Sequence, residues 1–144
     1  MTTPLFRRLG RALPVSVLAF GLLSGCSLIN GGSGQFEVEG ETYQASSIKC
    51  ERKEGGILIT MDSGPAQTQV GVTEDQQPKV VGVVMGAKGQ PTMMMRAQDN
   101  TGRAVVSRSA NTFLVSGTLV RVAEGKPAGG TEEFKITVSC NKIE

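Results

Sequence analysis

Beyond residue 40 the chain repeats one pattern: a short apolar-rich segment, a few turn residues, then another segment about ten residues on. The first half holds "TYQASSIKC" (42–50), "GILITM" (56–61), "TQVGV" (68–72) and "KVVGVVM" (79–85). The second holds "TMMMRAQ" (92–98), "RAVVSR" (103–108), "TFLVSGTLVRV" (112–122) and "EFKITVSC" (133–140). Turn residues punctuate them in "DSGPA", "EDQQP", "GAKGQP", "DNTG" and "EGKPAGG", and "DNTG" reads as a hairpin tip. No stretch after residue 30 holds a helical period. About eight short strands at this spacing predict an all-β domain, a small antiparallel β-sandwich or barrel-like fold.

Period two also orients individual side chains. In the last segment Phe134, Ile136, Val138 and Cys140 share one face, while Lys135, Thr137 and Ser139 share the other. In "SSIKC", Ile48 and Cys50 point one way, between Lys49 and Glu51 pointing the other. Both sulfurs therefore face inward, as a staple between strands requires.

The first 30 residues follow a different rule. Arg7, Arg8 and Arg11 come with no anion, and a mostly apolar run from Leu13 to Leu23 follows. That run is shorter than the roughly 20 residues a bilayer span needs. A cationic start, a short apolar run and small residues before a cut make an export signal. The Arg7–Arg8 pair lacks the rest of a twin-arginine pattern, so the general route is preferred.

Leu23-Ser24-Gly25-Cys26 resembles a bacterial lipobox, in which the cysteine thiol is acylated and cleavage falls just before it. The reading is a helical signal peptide over 1–25, then lipidated Cys26 and a flexible linker over 26–35. Gly31, Gly32, Ser33 and Gly34 are the linker residues of that stretch. The β-domain is expected over 36–144.

Charge changes once the signal is set aside. Losing three arginines from 15 basic residues leaves 12 against 13 acidic ones, so the formal charge moves from +2 to −1. Such a domain has no basic footprint for nucleic acid. Of the 3 cysteines, Cys26 is assigned to lipid, and Cys50 and Cys140 remain as an even pair in an oxidising compartment. A disulfide is the direct inference. Two free thiols or a metal pair compete with it, but no further ligand lies near. The interior is mostly aliphatic: there are 5 Phe, 1 Tyr and no Trp, and Phe6 and Phe20 belong to the signal.

Chemistry is sparse. The chain has no His, which removes histidine-based triads, most zinc and copper sites and the commonest general base. No Ser sits in a G-x-S-x-G elbow and no phosphate loop is present. Carboxylates pair only as neighbours, Glu74–Asp75 and Glu132–Glu133, which strand alternation turns to opposite faces. The reading is non-enzymatic, with no cofactor and no metal. Thioethers favour Cu(I), yet Met93 and Met95 face one side and Met94 the other, so core filling is the plainer role. An apolar ligand cleft involving Met85, Met93, Met95 and Leu114 is the remaining candidate site, with a lipid tail as its occupant.

"LSGC" at 23–26, Cys50 followed by "GGILITM", "NTFLVSGTLV" at 111–120 and "EEFKITVSC" at 132–140 come in a telling order. In that order they resemble the nineteen-kilodalton lipoprotein antigen family of mycobacteria, over about residues 40–141. The resemblance implies a cell-envelope lipoprotein, anchored in the cell membrane with its domain facing the exterior. It implies an acylated amino terminus that host Toll-like receptor 2 senses, with Cys26 as the acylated site and Cys50–Cys140 as the bridge. The family brings no defined enzymatic activity. Its members often carry a Thr-rich, glycosylated linker, whereas here that stretch offers only Ser27 and Ser33. The alternative function is a carrier or chaperone holding envelope lipid or glycolipid in the apolar cleft.

Overall fold

Ten strands follow one another in residues 31–144, the part of the chain that the computed structural model describes. They are β1 (Gly32–Val38), β2 (Glu41–Gln44), β3 (Ser47–Lys53), β4 (Gly56–Ser63) and β5 (Ala66–Thr73). The rest are β6 (Val80–Ala87), β7 (Gln90–Arg96), β8 (Arg103–Ser109), β9 (Thr112–Ala123) and β10 (Lys126–Cys140). No helix occurs among the described residues. All pairings are antiparallel, in the order β2-β1-β10-β9-β7-β6-β5-β4-β3, with β8 pairing β9 in addition. This single sheet curls into a half-barrel, so the barrel-like form of the expected all-β fold is the one adopted.

The alternation read from the sequence sets which side faces in. In β10, Phe134, Ile136, Val138 and Cys140 are buried between exposed or half-buried neighbours. In β4, Ile57, Ile59 and Met61 are buried with Leu58 and Thr60 turned outward. The three phenylalanines of the domain, Phe36, Phe113 and Phe134, all lie in the core, and Tyr43 stacks on Phe36 at 5.0 Å. Three hairpins turn on Glu-Gly pairs, 39–40, 54–55 and 124–125, with positive φ at both residues. That geometry suits the right-handed twist of the flanking strands.

The eight expected segments all become strands, and two changes raise the number to ten. Residues 42–50 divide at Ala45–Ser46, because β2 pairs with β1 while β3 pairs with β4. The other addition is β1, and it corrects the linker boundary at residue 35. Gly32 to Gln35 are not tether but strand, with Gly32 opposite Cys140 and Val38 opposite Phe134. Their glycines serve close approach rather than flexibility. A Cβ at Gly32 would overlap the carbonyl oxygen of Ser139. One at Gly34 would lie 2.8 Å from Met61 Cε and 3.0 Å from Ile48 Cδ1. "DNTG" is a turn, as expected, but β7 and β8 on either side of it do not pair as a hairpin: both pair with β9.

Candidate functional site

The chain enters the fold at one pole, and several elements meet there. Cys50 in β3, the last strand of the sheet, is joined to Cys140 at the end of β10 across 90 residues, with Cα atoms 6.2 Å apart. Both sit on inward faces and are buried, as the two alternations predict. Backbone hydrogen bonds reinforce the clasp. Asn141 N–H donates to Gly31 O at 2.9 Å, and Ala45 N–H donates to Gly34 O at 2.9 Å. Glu144 N–H donates to Cys50 O at 3.0 Å, and Arg52 N–H donates to Glu144 O at 2.6 Å. The tail after β10 thus lies along β3 and covers part of its open edge, which would otherwise invite pairing with another chain.

A groove of about 520 Å³ borders this clasp, lined by Gly31, Ile48, Lys49, Asp62, Lys142 and Glu144 among others. Its carboxylates are stabilised in the charged form. Asp62 accepts from Gln67 Nε2 at 2.8 Å and Ser47 Oγ at 3.1 Å, with Lys88 Nζ 3.7 Å away. These partners, Gln67 foremost, hold its carboxyl below the usual value, with partial burial opposing them. Lys142 lowers the Glu144 carboxyl and is itself raised by it across 2.8 Å. Asp62 and the clasp were not singled out in the sequence, since only the paired sheet brings residues 31, 48, 62 and 144 together. The lipobox residues Leu23, Ser24 and Gly25, and Cys26 itself, lie outside the described residues.

The four cleft residues are not gathered into a cleft. Met85 and Met93 are register partners on β6 and β7, and with Met95 they are buried in the core. Leu114 lies on the other side of the sheet, 40% exposed. The reason is local: its neighbours Phe113 and Val115 on β9 are both fully buried, so period two turns Leu114 outward. Met85 and Met93 fill space in the core, while Met95, also buried, reaches the edge of a separate cleft beside β8.

Elsewhere the charged groups neutralise one another at the surface. Arg121 bridges Glu39 and Glu132, Arg52 pairs with Glu74 at 3.0 Å, and Lys49 and Lys53 flank Glu51. Among the described residues no three His, Cys, Asp or Glu side chains converge as a metal site would need. No helix among them is long and apolar enough to cross a membrane.

A family model described as Mycobacterium 19 kDa lipoprotein antigen matches residues 28–140 of the chain. No curated protein matches it. The matched stretch starts two residues after Cys26 and ends on the second half-cystine, so it takes in the disulfide and every strand, and stops short of the tail that lies along β3.

Proposed function

We propose that this chain, which belongs to the Mycobacterium 19 kDa lipoprotein antigen family, is a non-catalytic envelope lipoprotein anchored through acyl chains on Cys26. The β-domain is displayed outward, and the acylated terminus is what host Toll-like receptor 2 senses. The observation that carries this reading is the register of the amino-terminal signals. Three arginines, an apolar run, Leu23-Ser24-Gly25 and Cys26 come in the order that acylation and cleavage require, immediately ahead of the family match. Each buried CH₂ contributes about 0.8 kcal/mol, and one myristoyl chain holds only marginally, so two or three longer chains make release negligible.

Replacing Cys26 with Ala tests it. The variant is expected to leave the membrane fraction and to stop stimulating receptor-bearing reporter cells, while its domain melts as the wild type does. A Cys26→Ala protein that still partitions with membranes and still stimulates the receptor refutes the anchor.

A further inference from the structure

β9 changes partner along one edge. Thr112–Thr118 pair with β8, whereas Val120 and Arg121 pair with β7. Leu119 sits at the change and is fully buried. Between β7 and β8 only the bridge of Arg96 with Thr101 closes the turn. The wall of the half-barrel is therefore interrupted between β8 and the first residues of β6. A cleft of about 660 Å³ opens there, within the roughly 300–1,000 Å³ of ligand pockets.

Its make-up is two-sided. Val80 and Met95, both buried core residues, lie at its base. Ala104 and Val106 of β8, which pack on the core, form its wall. Two exposed cations, Lys79 and Arg103, are the charged residues that line it, and no carboxylate does. Neither cation joins an ion pair among the described residues, although Arg52, Arg96 and Arg121 all do. A local excess of positive charge above an apolar base, on a domain of formal charge −1, complements one kind of molecule.

We infer that this cleft binds a single-chain anionic amphiphile of the fatty-acid type. The tail lies on Val80, Met95, Ala104 and Val106, and the carboxylate sits between Lys79 and Arg103. Apolar surface at the base is covered without leaving a polar group unpaired, and the head meets both cations where water still reaches them. A peptide strand added to the open edge of β8 is the competing occupant. It would pair with β8 backbone and be indifferent to Lys79, which lies outside β8. The inference does not depend on acylation of Cys26.

The test uses residues 27–144, which contain all ten strands, the core and the disulfide. The probe is anthroyloxy-palmitate, followed by its fluorescence on titration. Saturable binding is expected, with displacement by palmitate and little by hexadecylamine. Reversing both rim charges, Lys79→Glu with Arg103→Glu, changes only exposed side chains. It should weaken palmitate at least about tenfold and turn preference toward hexadecylamine, since like charges now face the carboxylate. Ala104→Phe should block both ligands by filling the wall. Absence of saturable binding by the folded wild type overturns the inference. So does binding that the double charge reversal leaves unchanged.

Discussion

Opening the Cys50–Cys140 bridge should cost this domain much of its stability. The bridge closes a loop of 90 residues. Loop-closure entropy for that length removes about 4.6 kcal/mol from the unfolded side at 25 °C in the chain-entropy model. Native domains hold about 5–15 kcal/mol in all. The bridge also fastens the terminal strand β3 to β10, so its loss acts on the native side as well, by letting the curled sheet open at the clasp. Urea titration of residues 27–144, with and without reductant and alongside Cys50→Ala/Cys140→Ala, reads the effect. With a urea slope of about 2 kcal/mol/M, the midpoint should fall by about 2 M. The slope itself should rise, because an unbridged chain exposes more surface when unfolded. Amides of β3 and of residues 141–144 should lose hydrogen-exchange protection before those of β9 and β10. A loss below about 1 kcal/mol, with β3 still protected, would refute the view that covalent closure compensates for a small aliphatic core.

Three further expectations follow from single residues. Thr68 is fully buried beside its register partners Met61 and Met85 with its hydroxyl unsatisfied, so Thr68→Val should raise stability by about 1–2 kcal/mol in a thermal or urea melt; a loss would show that an unseen partner meets the hydroxyl. The Asp62 carboxyl is lowered from 3.8, so its contribution is fully present above the unfolded value and disappears as pH falls through the lower folded value; Asp62→Asn should lower stability most near neutral pH, with the difference from wild type shrinking below about pH 4, so that the acid limb flattens. Gly117 faces Ala104, where a Cβ would overlap the Arg103 carbonyl oxygen and lie 2.8 Å from Ala104 Cα; Gly117→Val should cost about 1–3 kcal/mol and release β8 first in hydrogen exchange, and a variant with β8 protection unchanged would contradict that close approach.

Much of this architecture was legible because period two is a local signal. The inward faces of β10 and β3, and with them the bridge, were readable from "EFKITVSC" and "SSIKC" alone. β1 was not, since "GSGQ" has the composition of a linker and its glycines are explained only by Ser139, Met61 and Ile48 pressing on them. The Glu39–Gly40 turn that would have revealed the β1–β2 hairpin lacks the Asn or Asp that usually marks a tight hairpin. Leu114 is a different kind of miss. Its apolar character matches the methionines, but its place between Phe113 and Val115 turns it outward. The interrupted wall beside β8 had no local signature at all, because it arises from β9 serving two strands distant from each other along the chain.

The clasp gives the proposed anchor a geometric consequence. Gly31 follows Cys26 by five residues, and five residues reach at most about 18 Å when fully extended. The strand pairing that starts at Gly32 fixes the chain against Ser139 and Cys140, so the tether is shorter than the run of glycines suggested. Were Cys26 acylated as proposed, the domain would keep its disulfide pole toward the bilayer and could not turn it freely to the exterior. The far ends of the β9–β10 arm, with the Glu124–Gly125 turn and the bulge between Pro127 and Thr131, would then be the surface presented outward. Lengthening the segment between Cys26 and Gly31 would relax this orientation while keeping the clasp's contacts among the described residues, which lie at or beyond Gly31. The proposed anchor and the β-domain would thus be separable in sequence but coupled in space.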